Sequence, residues 1–329
     1  MQSVLGFLGG LAFFLYGMTV LGGELTKLSG GRLEGVLARV CKTPLRGVLM
    51  GTLVTAALQS SSATTVMVVG FVNAGLMTLQ QAAGVIMGAN LGTTLTAWIL
   101  SLSGVSESNF LLALLKPAAL GPLLAIVGVT LRLLSKRTRL RDVGVLLAGL
   151  GILFAGMEGM TGAVKPLAQS PAFSQAIAVL HEPLLGLVGG ALLTAVLQSS
   201  SASVGILQAI SGTGAVTVGM AVPIVMGQNI GTCVTALLSA VGAEKNAKRA
   251  ALLHFYFNTV GAVILLGVFY LLRFWGVVSA AAAVDAAGVA AIHSLFNVAA
   301  TLLLLPFSGL LVRLATCTVR EKREARRVK

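Results

Sequence analysis

Charge is scarce in this sequence: only 10% of its 329 residues are Asp, Glu, Lys or Arg, 56% are hydrophobic, and the mean hydropathy is +0.95. A chain so poor in polar surface cannot coat a water-soluble fold, which excludes soluble domains and also a soluble enzyme on a single anchor. Cysteine is thin as well. Cys41, Cys233 and Cys317 are odd in number, far apart and outside any CxxC or His-flanked spacing, which argues against disulfides and transition-metal sites. Asp and Glu together number 10, and inside the apolar stretches Glu158 is the one clear case, with Glu24 at a helix end. A carboxylate-based proton relay is therefore poorly supplied, and a coupling cation held by neutral oxygens is favoured. No basic n-region precedes the first apolar run, so that run is expected to stay as a helix rather than be cleaved.

What the chain has in quantity is apolar length. Runs of about 18 residues or more recur throughout, and runs this continuous predict an all-α polytopic membrane protein, because a lipid-facing barrel would show only a weak alternation. Crossings are predicted near 4–22, 79–103, 110–131, 143–163, 217–240, 250–272 and 288–314. Two further apolar pairs, near 45–75 and 184–213, are each split by QSSS. Each of their arms has only about 14 residues and would cover roughly 20 Å of a core about 30 Å thick, so they are predicted to be re-entrant helical hairpins.

The chain repeats itself. The twenty residues from Pro44 match the twenty from Pro183 without a gap at thirteen positions, QSSS included, at an offset of 139. The same register carries Gly17-Met18 onto Gly156-Met157, Met87-Gly88-Ala89-Asn90-Leu91-Gly92-Thr93 onto Met226-Gly227-Gln228-Asn229-Ile230-Gly231-Thr232, and Thr96 onto Thr235. Duplication of a multi-helix unit is a transporter signature, and three crossings per unit force the two copies into inverted topology. The organisation expected is a first membrane repeat over 1–131, a basic cytoplasmic linker over 132–142, a second repeat over 143–272, a final transmembrane region over 273–316 and a basic cytoplasmic tail over 317–329.

A net charge of +13 would suit nucleic acid, yet the 23 Lys and Arg are confined to a few segments between apolar runs. They read as topology signals and exclude a nucleic-acid role. With the N-terminus outside and the C-terminus in the cytoplasm, twenty fall inside, while only Lys165 and Arg273 fall outside and Lys116 lies within a span. Lys116 either snorkels to the interface or attracts an anion.

Each QSSS puts an amide and three hydroxyls at a hairpin turn, where the following arm begins with unbonded N–H groups that favour an oxyanion. Taken singly, such serines also serve as helix caps and packing residues; their duplication favours a ligand site. Paired glycines around Asn90 and Asn229 predict a discontinuous helix in each repeat, with freed carbonyls and Thr hydroxyls suited to Na⁺. Gly84, Gly88 and Gly92 also fit a packing face, whereas Pro223 in place of the first of these glycines favours a break. His254 and Asn258, and His293 and Asn297, share HxxFN on late helices and read as interhelical contacts.

In the two QSSS copies, the matching GxNxGT elements and the HxxFN helices, the chain resembles the sodium/phosphate cotransporter family over nearly its whole length. The resemblance implies Na⁺-coupled symport of inorganic phosphate across the bacterial inner membrane, no enzymatic activity and no cofactor beyond Na⁺ as coupling ion. It implies Gln59, Ser60, Ser61, Ser62, Gln198, Ser199, Ser200 and Ser201 as substrate-binding residues. Thr64, Asn90, Thr93, Ser203, Asn229 and Thr232 are second candidates for Na⁺ or substrate. Many bacterial members carry a cytoplasmic helical regulatory domain, which is not expected here, and a homodimer is left open. Val204 and Cys233 stand where the first copy has Thr65 and Thr94, so the two half-sites are expected to be unequal. The readings kept beside this are transport of another small oxyanion such as sulfate, a passive anion channel, and an intramembrane serine hydrolase. Two redundant serine clusters outside any GxSxG turn argue against the last.

Overall fold

The computed structural model describes residues 2–29, 43–102, 117–167 and 179–320. Among them are twelve helices and no strand: α1 (Gln2–Ser29), α2 (Pro44–Leu58), α3 (Ser61–Asn73), α4 (Leu79–Ser101), α5 (Pro117–Leu134), α6 (Thr138–Leu167), α7 (Pro183–Leu197), α8 (Ser200–Ser211), α9 (Val218–Ser239), α10 (Lys245–Phe274), α11 (Ala286–Leu304) and α12 (Ser308–Thr318). Six of them are long and apolar enough to cross a membrane: α1, α4, α6, α9, α10 and α11. The predicted crossing over 110–131 lies partly outside the described residues, as does Lys116; its described portion, α5, is apolar only over a shorter stretch. The arms α2 and α7, with 15 residues each, and α3 and α8, with 13 and 12, are too short to cross at 1.5 Å per residue.

Lipid offers no hydrophobic force to drive apolar helices together, so their association rests on close packing through small residues. α4 lies along α2 in this way, and α9 along α7. A Cβ added at Gly88 would overlap the carbonyl oxygen of Val48, and one at Gly227 would overlap that of Leu187, the same position 139 residues on. Gly84 and Gly92 meet α2, and Gly231 meets α7, at similarly short range.

This packing corrects the predicted discontinuous helices. α4 and α9 run unbroken through Gly88–Thr94 and Gly227–Cys233, and even Pro223 sits inside a continuous α9. The paired glycines bring two backbones together instead of interrupting one. A second correction concerns the last predicted span, which ends at Leu304; Leu305, Pro306 and Phe307 form a turn before α12. Proline cannot supply the N–H that would continue the helix.

α1 and α6 pack along each other reciprocally. A Cβ at Gly17 would overlap the backbone of Leu153, and one at Gly156 would overlap that of Phe14; 14 and 153, like 17 and 156, are the same position in the two copies. Lys27, near the end of α1, pairs with Asp142 in the first turns of α6.

Overpacking a tight contact costs about 1–3 kcal/mol or more. Gly88→Ala is therefore expected to lower the thermal unfolding midpoint of the detergent-solubilised protein by several degrees, whereas Gly70→Ala, where a Cβ meets nothing within 4 Å, leaves it unchanged. Equal midpoints for the two variants would refute glycine-mediated packing of α4 on α2.

Candidate functional site

Each QSSS interrupts a helix in the same way. α2 ends at Gln59 and α7 at Gln198, both in left-handed conformation with φ 52°, the two non-glycine residues of positive φ among those described. An L-residue pays roughly 1–2 kcal/mol for that geometry, which glycine would avoid. The next helices begin at once: Ser60 Oγ accepts from Ala63 N at 3.1 Å to cap α3, and Ser199 Oγ accepts from Ala202 N at 3.2 Å to cap α8. Capping leaves the first N–H groups of both helices without an intrahelical acceptor, with the positive ends of their dipoles at the turns.

The two turns meet. Ser61 Oγ and Ser200 Oγ, identical positions of the two copies, lie 3.4 Å apart, and Ser62 Oγ donates to the Gln198 carbonyl at 3.4 Å. A cavity of about 410 Å³ opens there, lined by Leu58 to Ala63 from the first copy, by Leu197 to Ser201 from the second, and by Leu15, Met18 and Thr19 from α1. All eight residues first named from the sequence line it. No histidine or carboxylate does among the described residues, so the serines have no base beside them in the cavity.

The second candidates do not line it. Asn90, Thr93, Asn229 and Thr232 are buried in α4 and α9. Asn90 Nδ2 donates to Asn258 Oδ1 at 2.6 Å and its Oδ1 lies 3.4 Å from His254 Nε2, so the first HxxFN joins α10 to α4. Thr93, Asn229 and Thr232 bond backbone carbonyls one turn back in their own helices. Thr64 and Ser203 lie behind the tips, fully buried. Asn297 donates to the His293 carbonyl within α11.

Behind the tips the copies diverge. In the first, Thr55 Oγ1 donates to Thr64 Oγ1 at 2.9 Å, Thr96 Oγ1 donates to Gln59 Oε1 at 2.9 Å, and Gln59 Nε2 donates to the Ala56 carbonyl at 2.7 Å. Every hydroxyl of that set is satisfied. In the second, Thr194, Ser203 and Thr235, the matching positions, have buried hydroxyl oxygens with no partner among the described residues. Gln228, where the first copy has Ala89, donates to the Ser203 carbonyl at 3.0 Å and leaves its own Oε1 without one. Thr55 and Thr194 escaped the sequence reading although they recur at the same position one turn before each QSSS. Gln208 escaped it too; its amide bridges the carbonyls of Ala97 in α4 and Ala286 in α11 at 2.9 and 3.0 Å.

A polytopic helical membrane protein with a serine-lined cavity at two matching helix breaks has the build of a transporter. The comparisons with known proteins give the family. A family model described as Na+/Pi-cotransporter matches residues 13–162 and again 160–292, and the chain belongs to that family. It is 31% identical over 315 residues to the uncharacterized protein YqeW of Bacillus subtilis, covering 95% of this chain and 97% of that one. It is 30% identical over 326 residues to an Escherichia coli protein named "Putative inorganic phosphate export protein YjbB", covering 98% of this chain but 57% of the relative's length. Over 105 residues, 31% of this chain and 15% of the other, it is 37% identical to the human sodium-dependent phosphate transport protein 2B. No solved structure matches.

Removing one partner of a buried hydrogen bond costs about 1–3 kcal/mol. Asn258→Ala is expected to destabilise the protein by that amount in thermal unfolding and Asn297→Ala by less, since Asn258 bonds across to α4 whereas the one bond of the Asn297 amide stays within α11.

Proposed function

We propose that this protein is a Na⁺-coupled transporter of inorganic phosphate that works by alternating access around the cavity at the two QSSS turns. One observation carries the reading: Ser61 and Ser200, the same residue of each copy, meet at 3.4 Å where two helix N-termini converge. Each terminus carries roughly half a positive charge and unbonded N–H donors, and the hydroxyls of Ser61, Ser62, Ser200 and Ser201 add neutral donors around them. Such a site holds a tetrahedral oxyanion without a fixed cation, weakly enough to release it. Gln59 and Gln198 shape the turns, and Ser60 and Ser199 hold the helix starts in register.

The coupling cation belongs to the second copy. Unsatisfied buried oxygens cost several kcal/mol unless something completes them. Thr194 Oγ1, Ser203 Oγ, Gln228 Oε1 and Thr235 Oγ1 offer neutral oxygens to Na⁺ next to the second turn. A bound Na⁺ here supplies positive charge beside the anion, which is how the two cargoes assist each other's binding.

The reciprocal contact of α1 with α6 and the self-contact of Ser61 with Ser200 are those of two units related by a two-fold axis, which supports inverted repeats rocking about the tips with α2–α3 and α7–α8 as re-entrant hairpins. The same reading puts the N-terminus outside and the basic C-terminal tail in the cytoplasm of a bacterial inner membrane. Net direction follows the imposed gradients, so a symporter of this build is compatible with uptake and with the export named in the Escherichia coli relative.

Losing a buried donor to a charged ligand costs about 1.5–3 kcal/mol, or roughly ten- to a hundredfold in affinity. Ser61→Ala and Ser200→Ala are each expected to weaken Na⁺-dependent uptake of labelled phosphate into proteoliposomes by that factor, with sulfate failing to compete. Wild-type uptake in both variants at matched incorporation would remove the site; flux that persists without Na⁺ would indicate a channel.

Thr194→Val is expected to raise the Na⁺ concentration for half-maximal uptake about tenfold. Thr55→Val, which breaks the satisfied pair with Thr64, is expected to act on stability instead. The reverse pattern would assign the cation to the first copy.

A further inference from the structure

The cavity is walled from one side. α1 contributes Leu15, Met18 and Thr19, and α6, packed against α1, contributes nothing among the described residues. The offset that relates the copies turns Leu15, Met18 and Thr19 into Phe154, Met157 and Glu158. Leu15 and Met18 are half-buried and Thr19 is exposed, whereas Phe154 and Met157 are 0% exposed and packed in one cluster with Leu100, Ala202 and Ile206. One wall faces the cavity; its counterpart does not, with its two apolar residues packed away and Glu158 exposed.

Exchanging the two copies leaves the Ser61–Ser200 pair in place, because the operation converts each serine into the other. The same operation carries the wall of α1 onto α6. We propose that Glu158 lines the second mouth of the substrate path, standing in the alternate conformation where Thr19 stands now, and that its carboxylate draws Na⁺ to that mouth. The inference rests on the phosphate-transport reading above and adds a residue to it.

The chemistry follows from the exchange of a hydroxyl for a carboxylate. The described residues that line the Thr19 mouth carry no charge. At the Glu158 mouth a carboxylate repels phosphate and attracts Na⁺, so a cation held there favours the anion's entry. Glu158 is exposed, and among the described residues none hydrogen-bonds or ion-pairs with it. Two mouths of unequal charge around a shared site give a transporter whose kinetics differ between its two faces.

Two measurements test this. In a background lacking Cys41, Cys233 and Cys317, Thr19→Cys and Glu158→Cys are labelled with a membrane-impermeant thiosulfonate in right-side-out and in inside-out vesicles. Position 19 is expected to react from one face and position 158 only from the other; reaction of both from the same face, or none at 158 from either, overturns the proposal. In the second measurement, Glu158→Gln is assayed in vesicles of both orientations. Removing one charge partner is expected to raise the half-saturating Na⁺ about tenfold at the face that labels position 158, and to lower the half-saturating phosphate there when Na⁺ is in excess. Equal shifts at both faces, or none, overturn it. Labelling needs no phosphate flux and does not depend on the Gln variant inserting well. A wild type that carries sulfate rather than phosphate would overturn the function proposed above and leave the labelling result standing.

Discussion

The close approach of backbones through glycine is the contact on which the rest of this molecule depends. In lipid, two apolar helices gain nothing by hiding from solvent, and their only attraction is surface fitted to surface. Gly84, Gly88 and Gly92 let α4 lie against the carbonyls of α2, and Gly227 and Gly231 do the same for α9 on α7. Because α2 and α7 are held along their whole length, each can stop short at a turn whose polar groups sit inside protein. Without that support the turns at Gln59 and Gln198 would expose unbonded peptide groups to hydrocarbon.

Much of this was legible in the sequence because duplication turns one ambiguous signal into two concordant ones. Apolar length gave the helical class, and the two QSSS copies located the helix breaks and eight of the fourteen residues that line the cavity. The glycine-rich elements were misread for a definite reason: a glycine pair marks equally a weak point in one helix and a landing place for another, and only the neighbour decides. No neighbour is visible in a linear pattern. Pro306 broke a helix where length alone predicted continuity, whereas Pro223 did not break one where proline predicted a break, since surrounding helices can re-satisfy what it frees. Thr55, Thr194 and Gln208 were overlooked because a lone hydroxyl or amide in an apolar run carries no chemical signature until its partner across the bundle is known.

The two halves have kept their backbone and parted in their chemistry. Turns of φ 52°, caps at 3.1 and 3.2 Å and the same glycine contacts recur. Behind them one half closes its polar groups on each other and the other leaves them open. Symmetric architecture with asymmetric side chains gives one cavity at the seam two different flanks. A satisfied flank holds its shape whatever is bound, while an unsatisfied one gains the most when a ligand arrives.

The pairing of α1 with α6 bears on how the protein is made. α1 leaves the ribosome well before α6, and more than a hundred residues must follow it before α6 exists to receive it. At about 5–20 residues per second that interval is on the order of ten seconds. During it α1 sits in the bilayer without the helix that its glycine face meets. It must therefore be stable by its own apolarity, and Gln2–Leu21 has the highest mean hydropathy of the six candidate spans, 2.0. α4 faces no such wait, because α2 precedes it by a few turns of chain. The molecule thus assembles from locally paired arms, with the α1–α6 contact as its late clasp, and a lesion at Gly17 or Gly156 would strand a helix already inserted rather than prevent one from entering.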